Sequence, residues 1–261
     1  MSWALRRQLT VLFIIVLLIS APIGLFFWLN EPTLSCFDGK LNQGEEGIDC
    51  SGPCDLLCPN QASDPIVKWS RVLPVRVGQY DAVAYIENNN PTAGLSDFEY
   101  TFRLYDSDNA PVIEKKGRTF LNPGEKHILY EPGINTGNIV PVKAYLELSK
   151  PYTGYAWKKL SGGENSYPNL SVKTKEFDSA SSNRVSALIT NSSIVDGRDI
   201  QVVAILYDSN DNVMGASSTF IDVVRGNSEL PIVFTWPNPF VDPPSKLELY
   251  LHYSKEIHSA R

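Results

Sequence analysis

Apolar positions follow two regimes along this chain. From Leu9 to Leu29 they form one run, LTVLFIIVLLISAPIGLFFWL, interrupted among polar side chains only by Thr10 and Ser20. From about residue 65 they recur at alternate positions, in short blocks separated by Gly, Pro, Asp and Asn. The first regime predicts a membrane-spanning helix over 9–29, because about 20 residues at ~1.5 Å each cover the roughly 30 Å hydrocarbon core of a bilayer. Arg6 and Arg7 precede the run and Glu31 follows it. The positive-inside rule then places 1–8 in the cytoplasm and everything after 29 outside, a single-pass cell-membrane protein. Trp3 and Trp28 fall near the two interfaces, and Pro22 and Gly24 are kink positions that membrane helices tolerate. Two other readings of this segment stay open. A cleaved signal peptide would have an apolar core of ~7–15 residues and small residues at the cut, which N-E-P-T-L-S-C does not supply. A lipoprotein would be acylated at Cys36, for which Thr33-Leu34-Ser35 is a poor approach.

The second regime is a repeat. A-V-A-Y-I-E-N (82–88) matches V-S-A-L-I-T-N (185–191), and F-E-Y-T-F-R-L-Y-D-S (98–107) matches I-Q-V-V-A-I-L-Y-D-S (200–209). V-K-A-Y-L-E-L-S-K (142–150) matches L-E-L-Y-L-H-Y-S-K (247–255). The order is kept with near-constant offset, which indicates tandem duplication of a domain rather than a short solenoid unit. Alternation predicts strands with Ala82, Ala84, Ile86, Phe98, Tyr100, Phe102 and Leu104 inward in the first copy. Their counterparts are Val185, Ala187, Ile189, Ile200, Val202, Ala204 and Leu206. In the last strand the inward sets are Val142, Ala144, Leu146, Leu148 and Leu247, Leu249, Leu251, Tyr253. Asp106–Asn109, Asp208–Asn212, Asn122–Glu125 and Arg225–Asn227 have turn composition. The expectation is all-β: two tandem immunoglobulin-like sandwiches over 65–150 and 168–255. They are joined by a linker over 151–167 and followed by a tail over 256–261.

Cysteine usage adds a third module. Cys36, Cys50, Cys54 and Cys58 are the only cysteines of the 261 residues, all within the 30–64 segment. A stretch this short buries too little apolar surface to fold unaided. Outside the cytoplasm two disulfides are expected, with all three pairings open. A four-thiolate zinc site is the competing chemistry, but the spacing lacks its paired C-x-x-C knuckles. Asp38, Asn42, Glu45 and Asp49 in the same loop supply hard oxygens of the kind Ca²⁺ takes, and they are equally turn formers. Calcium is therefore the one candidate cofactor. Cys36, Asp38, Gly39, Asn42, Glu45, Asp49, Cys50, Gly52 and Cys54 resemble a short Cys-rich motif of bacterial surface proteins, C-x-D-G-x-x-N-x-x-E-x-x-x-D-C-x-G-x-C. The resemblance implies an exported protein and no chemical activity.

The strand-end element Phe102-Arg103-Leu104-Tyr105-Asp106 resembles the FxLYD family. The second copy keeps Leu206, Tyr207 and Asp208 with Ala204 at the Phe position. That resemblance implies immunoglobulin-like domains on an exported or membrane-tethered bacterial protein, with structural roles for the motif: Leu in the core, Tyr over the sheet edge, Asp capping the turn. It brings no catalytic residues.

Net charge is −6, and the only charged residues among the first 30 are Arg6 and Arg7, so the outer part is more acidic still. That argues against nucleic acid as a partner. His127, His252 and His258 are the only histidines, and no G-x-S-x-G, H-E-x-x-H, G-x-G-x-x-G or phosphate loop is present. No catalytic residue is assigned. Tyr152, Tyr155, Trp157 and Tyr167 in the linker either form a binding patch or pack at the junction as an added strand. The expected function is structural or interactive: a bilayer anchor at 9–29 presenting two domains to an extracytoplasmic protein. A calcium-dependent adhesion module and an extracytoplasmic hydrolase, or an accessory subunit of one, are the alternatives. The mature protein is expected to retain the apolar run. An N-terminal sequence or intact mass starting beyond residue 20 would contradict that.

Overall fold

The computed structural model describes residues 3–29, 36–150, 156–160, 167–178, 183–240 and 242–255. The side chain of Trp28, residues Glu31, Tyr152 and Tyr155, and the tail with His258 lie outside the described set. α1 (Trp3–Leu29) contains the stretch Arg6–Phe26, of mean hydropathy 2.7 and unburied by the rest of the protein, long and apolar enough to cross a membrane. Within it the Thr10 hydroxyl donates to the Arg6 carbonyl at 2.8 Å, which satisfies that polar group inside the helix. No other helix occurs among the described residues.

Strands β1 (Ile66–Arg76), β2 (Gln79–Glu87), β3 (Ala93–Tyr105), β4 (Pro111–Leu121), β5 (Lys126–Asn135) and β6 (Lys143–Leu148) form the first sandwich. Its sheets have the orders β1-β2-β5 and β4-β3-β6, and the short strand β7 (Trp157–Lys159) pairs with the start of β3. Strands β8 (Leu170–Asp178), β9 (Arg184–Asn191), β10 (Gly197–Tyr207), β11 (Val213–Val224), β12 (Ser228–Thr235) and β13 (Lys246–His252) repeat the plan as β8-β9-β12 and β11-β10-β13. Every pairing is antiparallel.

The two cores are counterparts. Ala82, Ala84, Ile86, Phe98, Tyr100, Phe102 and Leu104 line one; Val185, Ala187, Ile189, Ile200, Val202, Ala204 and Leu206 line the other. The last strand corrects the sequence alignment by two residues. Leu104 pairs with Ala144 and Leu206 with Leu247, so Ala144 corresponds to Leu247 rather than to Leu249. A shift of two preserves the face, which is why alternation alone did not reveal it. Val142, expected inside, is left before β6 and is exposed.

The sandwiches are not stacked as separate beads. The outer face of β1-β2-β5 packs against the outer face of β11-β10-β13 in a third apolar cluster: Leu73, Val83 and Ile128 against Val203, Ile205, Tyr207 and Ala216. Residues 202–207, V-V-A-I-L-Y, are consecutively buried, as they must be in a strand covered on both faces. The corresponding stretch of first-copy strand β3, 100–105, is instead only half-buried at Arg103 and Tyr105. Its outer Arg103 faces solvent and pairs with Glu114 and Glu147. The interface is therefore heterologous, the β1-β2-β5 side of one copy on the β10 side of the other.

Leu104→Ala and Leu206→Ala should each cost about 2–5 kcal/mol. Ile205→Ala separates the fused arrangement from independent domains. It should cost a similar amount, about 2–5 kcal/mol, within a single cooperative transition. A change under about 0.5 kcal/mol, as at an ordinary surface site, would disprove the seam.

Candidate functional site

Two regions concentrate the chemistry-bearing side chains: the cystine module and one end of the interdomain seam. In the module the disulfides are Cys36–Cys54 and Cys50–Cys58, and there is no free cysteine. Zinc-thiolate chemistry is thereby removed. The grouping of Cys36, Glu45 and Cys54 sulfur and oxygen atoms is not a metal site, because cystine sulfurs are not thiolate ligands. Asp49 accepts the backbone N–H groups of Asp38 and Gly39 at 3.0–3.1 Å. Asp38 accepts Lys40 N–H and the Asn42 amide, each at 2.9 Å, and these bonds hold its carboxyl below the usual range. Glu45 accepts Asn42 and Asp49 N–H at 3.4 Å. The four candidate calcium residues thus serve as turn caps to one another, while Asn42 Oδ1 is buried with no hydrogen-bond partner among the described residues.

The module is bolted to the first sandwich. Leu57 N–H donates to the Trp157 carbonyl at 2.8 Å and Lys159 N–H to the Asp55 carbonyl at 2.7 Å, so β7 lies between the module and β3. Trp157 is buried in the first core, and Leu57 and Ala62 pack on that core. Of the linker aromatics, Trp157 belongs to an added strand and Tyr167 is buried, rather than both forming an exposed patch.

The residues of the two L-Y-D elements sit as equivalents. Leu104 and Leu206 are fully buried. Asp106 Oδ1 accepts N–H from Asp108 and Ala110 at 2.9 Å, and Asp208 Oδ1 accepts from Asn210 and Asn212 at 2.8 and 2.9 Å. Asn109 and Asp211 take left-handed φ of 60° and 59° in these turns, which Asn and Asp tolerate best among residues with a Cβ. The tyrosines differ. Tyr105 packs edge-on to Tyr145 at 5.4 Å, whereas Tyr207 is buried in the seam, donates to Glu248 at 3.0 Å, and is pushed up to about 12 by burial and that carboxylate. Sequence reasoning passed over Asn88 and Asn191. Each is a buried amide whose Nδ2 donates to one strand-end and one loop carbonyl: Ala93 and Asn122 for Asn88, Val224 and Val195 for Asn191. The signal was their shared place as the last residue of the matched 82–88 and 185–191 segments.

At one end of the seam the Asn122–Glu125 turn of the first sandwich meets the end of β13. Asn122 Nδ2 donates to the Tyr253 carbonyl at 2.9 Å, and Lys255 N–H donates to Asn122 Oδ1 at 3.1 Å. Here His127, on the inward side of β5 opposite Ile86, meets His252, on the outer side of β13; both are buried, with ring centroids 3.8 Å apart and planes at 27°. Phe120 stacks on His252 at 3.9 Å. Glu125 Oε1 lies 2.8 Å from His252 Nδ1, and its Oε2 accepts Asn122 N–H at 2.7 Å and Asn122 Nδ2 at 2.9 Å. Thr119 Oγ1 lies 3.2 Å from His252 Nε2. One ligand atom from each of Glu125, His127 and His252 falls within 4.8 Å of the others, a donor set able to hold a metal ion.

Burial, with His252 beside it, pushes His127 well below its ordinary 6.5. The folded value lies below the unfolded one, so the unfolded chain takes up the proton first as pH falls. His127's contribution is present above about 6.5 and is lost below it, by up to about 1.4 kcal/mol per pH unit. In chelator-treated protein, stability should fall from pH 6.5 to 5.5, and His127→Leu should flatten that slope. Equal slopes in the two proteins would contradict the assignment.

No protein-family model matches the chain, and no curated relative matches it. Among solved structures the chain is similar to a red sea bream transglutaminase, at 9% identity and a TM-score of 0.23, over 75% of this chain and 30% of that one. This chain therefore spans under a third of that protein's length, and a likeness so slight carries no argument about fold or chemistry.

Proposed function

We propose that the chain is a membrane-anchored, extracytoplasmic structural or interaction protein, with residues 1–8 inside, 9–29 in the bilayer and both sandwiches outside. The observation that carries this reading is the order of parts: a helix apolar enough to cross a membrane near the N-terminus, then a cystine module that β7 ties to the first sandwich, which the apolar seam ties to the second. From the module to the second sandwich this is one connected body, a property an anchored scaffold uses. Exposed Phe37, Leu41 and Ile48 on the module suit a place against lipid headgroups. The resemblance of the paired L-Y-D elements to FxLYD domains agrees with an exported bacterial protein whose partner is another envelope protein.

A non-enzymatic role fits the seam cluster, because Phe120 and the facing sheets cover His127 and His252. A cleft of about 660 Å³ nearby is lined by Lys158, Lys159, Asp196, Arg198 and Asp199 among others, and His127, His252 and Glu125 are not in its wall. The second reading, calcium held by the cystine loop, is favoured by one observation, the orphaned Asn42 Oδ1. Calcium should then raise the melting temperature of wild type and not of Asp38→Asn.

Protease protection tests the main reading. In intact cells with a permeabilised outer layer, the sandwiches should be digested by added protease, and in inverted vesicles they should be protected. The reverse pattern would overturn the topology. Proximity labelling from the second sandwich should enrich envelope proteins; enrichment of cytoplasmic proteins would reject the assignment.

A further inference from the structure

We propose that Glu125, His127 and His252 form a binding site for one divalent transition-metal ion of the zinc class, and that this ion staples the two sandwiches together. The inference goes beyond the anchoring role and does not depend on it.

The first observation is the donor set. Two imidazoles and a carboxylate suit Zn²⁺ and its neighbours, whereas Ca²⁺ and Mg²⁺ take mainly oxygen ligands. In a tetrahedral site with ligands near 2.0–2.1 Å, ligand atoms stand roughly 3.3 Å apart. The three here already lie within 4.8 Å of one another, a gap that side-chain rotation can close.

The second observation is independent of that grouping. His127 is 2% exposed, and its ring makes no hydrogen bond among the described residues. Its neighbours are His252 across the seam and Glu125 of its own sandwich, and a metal ion engages all three at once.

The surroundings supply the orienting contacts such a site needs. If His252 ligates through Nδ1, the atom facing Glu125, its Nε2–H is left to donate to Thr119 Oγ1 at 3.2 Å. Asn122 holds the second oxygen of Glu125 through its backbone and side-chain N–H groups. Metal-bound histidines and carboxylates are commonly fixed in this way.

The third observation comes from the duplication. Strand registers place Leu230 at the position equivalent to His127 and Ser228 at that of Glu125. Ser149 stands at the position equivalent to His252. The sandwich plan requires none of the three ligand residues, yet they converge where the two copies meet. An ion held from both sides binds only the docked state, so it stabilises the seam by mass action.

The test uses the full chain in detergent, carrying no affinity histidines and stripped of metal with a chelator. Co²⁺ serves as a spectroscopic probe and Zn²⁺ as its competitor. Wild type should bind one equivalent of Co²⁺ with visible d–d absorption, which one equivalent of Zn²⁺ displaces, and Zn²⁺ should raise its melting temperature. Glu125→Gln keeps the shape and the Asn122 side-chain neighbour while removing a ligand charge. It should weaken binding by at least about 100-fold, since losing only an outer-shell partner costs ~10–100-fold. His127→Leu, which installs the residue of the second copy, should abolish the bands. If His127→Leu does not fold, Glu125→Gln alone decides. Absence of a wild-type signal at micromolar Co²⁺ would overturn the site. So would equal affinity in wild type and Glu125→Gln, because the ion would then lie elsewhere.

Discussion

The structure depends on one constraint: β2 and β10 are each covered on both faces. Ala82, Ala84 and Ile86 fill the first core while Val83 enters the seam, and Val202, Ala204 and Leu206 fill the second core while Val203 and Ile205 enter it. Burying a Val or Ile side chain is worth roughly 1.5–3 kcal/mol, so a handful of such residues outweighs the freedom two linked domains would otherwise keep. The outer face of each remaining sheet is polar. Arg103 with Glu114 and Glu147 covers one, and Lys173 with Glu229 covers the other.

Duplication explains what the copies share, and the seam explains where they diverge. The hairpins at Asp106 and Asp208 and the amide clamps of Asn88 and Asn191 recur because each solves a local backbone problem inside one sandwich. Tyr105 and Tyr207 occupy the same motif position but meet different surroundings, one half-open beside Tyr145 and the other sealed against the partner sheet. Position in the repeat set their backbone; the neighbouring domain set their chemistry. The same holds for His252, an outward residue of its own sandwich that is covered on docking by His127 and Phe120 of the first.

The cystine module gains order from both ends. Its two disulfides restrict the chain where little apolar surface is available, a contribution of about 3 kcal/mol for a loop near 15 residues in the chain-entropy account. Strand β7 then adds a hydrogen-bonded edge and places Trp157 in the first core. A segment that would be an independent collar becomes part of the first sandwich's wall.

The sequence by itself determined the apolar helix, the alternating strands, the duplication with Leu104 and Leu206 as counterparts, the capped turns and the need for disulfides. Each of these rests on neighbours a few residues apart, or on a comparison of one copy with the other. Even the fusion left a trace, in the unbroken V-V-A-I-L-Y run that a half-exposed strand would not carry. Only the tertiary structure decided which cysteines pair, that 157–159 returns as a strand, the two-residue correction in β13, and the meeting of Glu125 with His252 across 127 residues. Those outcomes depend on the fit between two finished surfaces. Periodicity reports which way a side chain points from its own strand, and says nothing of what another sheet will bring against it.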